Sequence, residues 1–208
     1  MIDEVLSRLG WLGYASFVYE GPPVIYFDPF GLHRTQPADI ILVTHEHPQH
    51  CSTADIEKVR RAWTVVVSDK KAAAKIEPPV LALEPWEEAR VEDTLIQAVP
   101  AYNVETHFHP KRAGYLGFIV TVEGVRIYYA GDTDFIPEMA DLHVDIAILP
   151  VCGLTVMDAE EAARAALALK PQVAIPMHFG GTLGTLEDAE TFRALLDGKV
   201  RVEILPKV

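Results

Sequence analysis

Ile40-Ile41-Leu42-Val43-Thr44-His45-Glu46-His47-Pro48-Gln49-His50 is the stretch on which the reading of this chain turns. Its first four residues are a continuous apolar run of strand length, the pattern of a β-strand buried on both faces. The run stops at Thr44-His45, so a buried strand delivers a polar loop that carries three histidines in six residues. A His-x-His spacing in an extended segment lets two imidazoles converge on one ion. His50, three residues on, lies where the chain can turn toward a second. Neutral imidazole nitrogen is a good ligand for zinc and its neighbours at ~2.0–2.1 Å. A lone His-x-His is more often a surface pair or a hydrogen-bonded core pair, but here other strand ends supply further candidates.

Upstream, Trp11 to Tyr19 around Gly13 and Val24 to Phe27 read as strands, the second running into Asp28-Pro29. Downstream, Ser52 is placed to cap a helix, with Asp55 at the third helical position and Ile56 and Val59 on the apolar face. Thr64 to Val67 is another buried strand, followed by a short helical pattern from Lys70 to Ile76 and the turn Pro78-Pro79. Val80 to Leu83, Ala89 to Val91 and Leu95 to Ala101 read as antiparallel strands, the last leading toward His107 and His109. Tyr115 to Val122 and Val125 to Ala130 form a hairpin across Glu123-Gly124. That hairpin ends in Gly131-Asp132-Thr133-Asp134. Val144 to Val151 is a further strand, and Asp158 with Glu161 caps the helix Ala159 to Leu169, which stops at Lys170-Pro171. Val173 to Pro176 then delivers His178 into the loop Gly180-Gly181-Thr182-Leu183-Gly184. A helix of about Leu186 to Leu196 and a strand from Arg201 to Leu205 close the chain. Strands outnumber helices, and the helices come singly between strand groups. That order predicts an α/β (α+β) fold with two mixed sheets face to face and helices outside, a four-layer αββα sandwich in one domain over residues 1–208.

The 208 residues are 50% apolar and 23% charged, the composition of a folded globular protein. A formal charge of -12 repels phosphate backbones, so nucleic acid is not an expected partner. The short basic runs Lys58/Arg60/Arg61, Lys70/Lys71 and Lys111/Arg112 read as solvated faces. No secretory leader pattern opens the sequence and no apolar run reaches the ~18 residues of a membrane span. Cys51 and Cys152 lack a Cys-x-x-Cys spacing, and both read as buried filler rather than nucleophiles. These features together predict a soluble, cytoplasmic protein without a membrane partner, its oligomeric state left open. His33 and His143 read as ordinary loop histidines.

Thr44-His45-Glu46-His47-Pro48-Gln49-His50 resembles the His-x-His-x-Asp-His signature of the metallo-β-lactamase superfamily. Gly131-Asp132-Thr133-Asp134 and Pro176-Met177-His178-Phe179-Gly180 resemble its downstream ligand motifs, in the same order. Phe27-Asp28-Pro29 resembles the strand-end Asp-Pro of one branch. Within the superfamily the chain is most similar to short, single-domain metal-dependent hydrolases related to ascorbate-6-phosphate lactonase. The resemblance implies the metallo-β-lactamase fold, with His45, His47 and His109 on a first metal, His50 and His178 on a second, and Asp132 bridging. It favours His109 over His107 because His109-Pro110-Lys111 matches the wording of that branch. It also implies that Asp28 and Asp134 stand behind the ligands, where carboxylates accept the other N–H of a metal-bound histidine. Zinc is the expected ion, one or two per chain, with manganese or iron as alternatives.

The sequence departs from this pattern at two places. Tyr14 stands where many relatives have histidine after glycine, which should alter a contact behind the ligands. Gln49 replaces the aspartate that relatives use as a second-metal ligand and as a proton acceptor, and with Asp132 and His178 it makes up the candidate catalytic set. A glutamine amide coordinates weakly, adds no negative charge and takes up no proton. A weaker second metal, a single-metal enzyme, or a water that ionises without a protein base follows from it. The expected chemistry is metal-assisted hydrolysis of an ester, lactone, amide or phosphodiester in a small-molecule substrate. Lys111 and Arg112 are candidates to hold an anionic group of that substrate, and Thr182 and Thr185 to line its pocket. Two other readings stand beside it: a metal-binding protein without turnover, marked by Gln49, and a nuclease, against which the acidic balance counts.

Overall fold

In strand β4 (Ile40–Val43) every residue is buried, and its side chains alternate between two hydrophobic clusters. Ile40 and Leu42 enter one cluster, while Ile41 and Val43 enter the other. Successive side chains of a strand point to opposite faces, so one apolar run of four feeds two layers. A computed structural model of the chain describes residues 1–33, 35–104, 106–181 and 183–208 and shows this device throughout the first sheet. In β2 (Ser16–Glu20) and β3 (Val24–Phe27), Phe17, Tyr19, Ile25 and Phe27 face one cluster, and Val18 and Tyr26 face the other.

The first sheet has the order β1-β2-β3-β4-β5-β6, with β1 (Leu9–Gly13), β5 (Val65–Ser68) and β6 (Leu81–Ala82) completing it. It is antiparallel from β1 to β3 and parallel from β3 to β6. The second sheet runs from β7 (Glu88–Val91) through β8 (Thr94–Pro100), β9 (Leu116–Val122), β10 (Val125–Tyr129), β11 (Ile146–Pro150) and β12 (Val173–Met177) to β13 (Arg201–Val202). It repeats the scheme, antiparallel to β10 and parallel beyond it. Helices α2 (Thr53–Val59) and α3 (Lys70–Ala73) cover the outer face of the first sheet through Ile56, Val59 and Ala72. Helices α4 (Ala159–Leu169) and α5 (Leu186–Leu195) pack against each other and cover the second sheet, α4 by its alanine face. The arrangement is the αββα sandwich that the element order predicts.

The caps form as the sequence implies: Ser52 Oγ accepts from the Asp55 amide, and Asp158 accepts from the Glu161 amide. Two ends differ from expectation. Helix α1 (Ile2–Ser7) carries no capping signal and is held by burial of Val5 and Leu6 in the inter-sheet cluster. Strand β13 stops at Val202, and the last residues cross to the first sheet, where the Val208 amide donates to the Trp11 carbonyl at 3.0 Å. Among the described residues no helix is long and apolar enough to cross a membrane.

Strand direction gathers the polar loops. Strands β8, β10, β11 and β12 run the same way in the second sheet, so their C-terminal ends lie at one edge of the sandwich. Strands β3 and β4 are likewise parallel in the first sheet. The edges are stitched by the Leu116 amide, which donates to the Thr44 carbonyl at 3.1 Å, and by the His178 amide, which donates to the Tyr14 carbonyl at 2.9 Å. Gly131 is required at this seam. Its φ is +66°, and a Cβ there would lie 2.8 Å from the Leu116 carbonyl and 3.0 Å from Thr44 Cγ2. Gly131→Ala combines a strained dihedral with a backbone collision and should cost about 2 kcal/mol or more. Urea unfolding of the chelator-stripped variant would read this as a lower midpoint at unchanged slope.

Candidate metal centre

Each imidazole of the cluster is oriented from behind. Thr44 Oγ1 donates to Asp28 Oδ2 at 2.7 Å, so it accepts from His45 Nδ1 at 2.9 Å and leaves His45 Nε2 facing inward. His50 Nδ1 is 2.7 Å from Asp28 Oδ2, and His109 Nδ1 is 2.9 Å from Asn103 Oδ1 and 3.2 Å from the Thr155 carbonyl. His178 Nδ1 is 3.2 Å from Cys152 Sγ. In all four the outer nitrogen has an acceptor, which turns the inner nitrogen's lone pair toward the common centre. His47 differs, presenting Nδ1 to the centre.

The inward atoms have the spacing of a coordination shell. Donors ~2.1 Å from a tetrahedral ion lie ~3.4 Å from one another. His47 Nδ1 is 3.0 Å from His45 Nε2 and 3.3 Å from His109 Nε2. Asp132 Oδ2 closes this group, 3.4 Å from His109 Nε2 and 3.9 Å from His45 Nε2. The other oxygen, Asp132 Oδ1, is 3.3 Å from both His50 Nε2 and His178 Nε2. The atoms of His45, His47 and His109 all lie within 4.8 Å of one another, as do those of His45, His50 and Asp132. Asp132 Oδ1 and His178 Nε2 are buried and make no hydrogen bond, although each is a strong hydrogen-bonding group. Two orphaned atoms aimed at one space fit a cation between them, and the donor set fits one or two divalent ions.

Electrostatics agree with the geometry. Burial opposes the charged form of His50, but the charges of Asp132 and Asp28 outweigh it and hold the imidazole at about 10. Burial also opposes charge on His178, and Asp132 again prevails, at about 9. Asp132 is the counterpart: burial would raise its carboxyl, but the charges of His178 and His50 hold it well below the usual carboxylate range. Burial dominates at His45, His47 and His109 and lowers all three, so these imidazoles are neutral. Without metal, one carboxylate is therefore matched by protons on the two histidines it faces.

Of the residues singled out in the sequence, His45, His47, His50, His109, Asp132 and His178 meet at this centre. Asp28, fully buried, stands directly behind His50 and also accepts from the Thr44 amide and the Tyr129 hydroxyl. Asp134 accepts from Asn103 Nδ2 and the Val104 amide, and so steadies the Asn103 oxygen that faces His109. His107 is exposed, as are His33 and His143. Gln49 is exposed too, and among the described residues its side chain has no hydrogen-bond partner. Lys111 is engaged with Glu138 at 2.7 Å and lies over the Tyr102 ring, while Arg112 is exposed on the same turn. Thr185 is the N-cap of α5, in a capping box with Asp188, and Thr182 lies outside the described residues.

Cys51 is buried filler, its thiol pushed up to about 11 by burial. Cys152 corrects the reading of both thiols as filler: it is half-buried and holds the outer nitrogen of His178. Sequence reasoning also missed Asn103 and Thr44 as supports. Thr44 adjoins the motif and Asn103 lies in the loop that follows β8, but neither residue type marks a site by itself. Tyr14 contacts the centre directly, its ring 4.1 Å from that of His178 and 6.3 Å from that of His50. Burial pushes its phenol far up and the Asp132 charge adds to this, so the hydroxyl stays protonated within electrostatic reach of that carboxylate.

Two outcomes follow. Metal loading at pH 7.5 should release protons from both His50 and His178, and affinity should rise with pH until about 10 and then level off. Both groups sit above their ordinary ~6.5, so the stability they contribute to stripped protein is complete below that value. It is lost as pH rises through about 9 and 10. Calorimetry in buffers of different ionisation enthalpy counts the protons, and melting curves of stripped protein read the stability loss. Asp28→Asn keeps the volume but cannot accept from the Thr44 amide and hydroxyl, Tyr129 and His50 together. It should weaken metal binding about 10–100-fold, measured by competition with a chromophoric chelator.

A family model described as the β-lactamase superfamily domain matches residues 8–178. A UPF0173 metal-dependent hydrolase of Thermococcus kodakarensis is 33% identical over 96% of each chain. A crystal structure of a candidate metal-dependent hydrolase from Parabacteroides distasonis is 31% identical, superposes with a TM-score of 0.83, and covers 95% of this chain and 91% of its own. A structure from Thermotoga maritima, described as a candidate Zn-dependent hydrolase of the metallo-β-lactamase superfamily, shares the fold at 19% identity. Its TM-score is 0.65, over 95% of this chain and 97% of that one. By sequence and by fold, this chain belongs to the β-lactamase superfamily, in its metallo-β-lactamase fold.

Proposed function

We propose that this metal-dependent hydrolase holds one divalent ion with His45, His47, His109 and Asp132 Oδ2, and a second with His50, His178 and Asp132 Oδ1. The observation that carries the reading is the buried pair Asp132 Oδ1 and His178 Nε2, 3.3 Å apart as an ion pair but without a well-formed hydrogen bond among the described residues. Zinc suits the imidazole-rich set, with manganese or iron as substitutes. A divalent ion bound there supplies Lewis acidity and brings the pKa of a water toward ~7.

The chain's own residues do the rest. Thr44, Asp28, Asn103 and Cys152 lock four imidazoles in the tautomer that points a lone pair inward. Asp132 spans both positions with one oxygen each, and its burial excludes water that would screen the charge. Gln49 is exposed and is no base, so the attacking water ionises without help from that position. The substrate is a small molecule with an ester, lactone or phosphodiester bond, and the Thermococcus relative's description as a metal-dependent hydrolase supports the reaction class. Arg112, exposed on the turn after His109, is a candidate cation for an anionic group, since Lys111 is engaged with Glu138.

Metal per chain, measured by mass spectrometry on protein purified without chelator, should be one to two. That protein should turn over bis-p-nitrophenyl phosphate or a member of a lactone panel. Asp132→Asn should lower kcat at least about 100-fold, the scale on which losing a centre's charge stabilisation acts. Bound metal with no turnover would favour the non-catalytic metal-binding reading. Neither metal nor turnover after reconstitution with zinc, manganese or iron would sink the proposal.

A further inference from the structure

Tyr14 pays for its place. It has φ of +56° in the tight corner between β1 and β2, a left-handed conformation that costs a bulky residue ~1–2 kcal/mol and persists only where the surroundings impose it. Two contacts impose it here: its carbonyl accepts from Trp11 Nε1 at 3.0 Å and from the His178 amide at 2.9 Å. The ring is then confined between His178 and Gly181, where a Cβ would stand 3.0 Å from Tyr14 Cδ2. Gly181 leaves the room that the ring occupies.

Tyr14 is only partly buried, and among the described residues its hydroxyl has no hydrogen-bond partner and is not one of the buried unpaired atoms, so it is open to solvent and free to meet a ligand. The Tyr14 ring stands on the His50 and His178 side of the cluster. On that side the described residues offer two imidazoles and one carboxylate oxygen, and Gln49 is exposed. Three donors leave coordination positions for an oxygen from outside the chain, and the unused phenol is next to them.

We propose that Tyr14 is a catalytic residue whose phenol donates a hydrogen bond to a substrate oxygen held at the His50/His178 side, stabilising the negative charge that this oxygen gains as water attacks. The proton stays on the phenol throughout. The assignment rests on the hydrolase reading and deepens it by naming the donor on the chain that meets the acyl or phosphoryl oxygen.

Tyr14→Phe keeps the ring against His178 and removes only the hydroxyl. Metal content and melting temperature should stay at wild-type values. Turnover of bis-p-nitrophenyl phosphate should fall about 10–100-fold in kcat with KM changed less than about 3-fold, the range for one oxyanion donor. Inorganic phosphate, a tetrahedral oxyanion titrated calorimetrically into the metal-loaded protein, should bind at least about 10-fold more weakly to the variant. Equal phosphate affinity in the two proteins, or no phosphate binding by wild type, overturns the assignment. So does loss of metal from the variant, which would make the phenol a ligand. If wild type turns over nothing while the variant still loses phosphate affinity, the hydrolase reading fails and the oxyanion contact stands.

Discussion

A single buried carboxylate, Asp132, sets the terms for the rest of this structure. An ionised carboxylate removed from water is costly unless positive charge and hydrogen bonds surround it. Five imidazoles supply that environment, and four of them bring an inner nitrogen within 3.9 Å of one Asp132 oxygen or the other. Satisfying one charge thus calls on the C-terminal loops of β4, β8, β10 and β12, which belong to both sheets. The parallel course of β10 and β12 is what allows it, because strands that run the same way end at the same edge.

Asp28 performs the matching service one layer behind. It accepts from the Thr44 amide, the Thr44 hydroxyl, His50 and the Tyr129 hydroxyl. Tyr129 comes from the second sheet and the others from the first, so one carboxylate ties the sandwich together beneath the site. Asp28, Tyr14 and His178 all have positive φ. Strained backbone is held at these three positions because the convergent polar groups over-determine their neighbours' conformations. The site and the seam between the sheets are one construction, which is why a glycine is needed at 131 and why the site's supports are also core residues.

The strands were legible because their apolar runs are unbroken: Ile40 to Val43, Val65 to Val67 and Ile146 to Leu149 have no polar residue to hide the period. The ligand candidates were legible because histidine and aspartate directly after such runs are chemically conspicuous. Asn103 and Cys152 were not, because a support acts by position, and only folding brings them to His109 and His178 from loops 6 and 26 residues away in sequence. Helix α1 was hidden for a similar reason. Six residues have no helical stability of their own, and Val5 and Leu6 form a turn because the inter-sheet core receives them.

Gln49 separates what a motif says from what a residue does. The resemblance of its motif sets it in the place of a carboxylate that would both coordinate and accept a proton, yet its side chain is exposed and has no hydrogen-bond partner among the described residues. An uncharged amide gains little by entering a centre whose attraction is for negative charge, and water solvates it fully outside. The two halves of the centre are consequently unequal: three imidazoles and a carboxylate oxygen on one side, two imidazoles and the other oxygen on the second. The half with fewer donors from the described residues is also the half beside which the Tyr14 ring stands. On the proposed reading, a neutral residue at 49 and a phenol at 14 would together suit that half to receiving substrate rather than holding a proton acceptor.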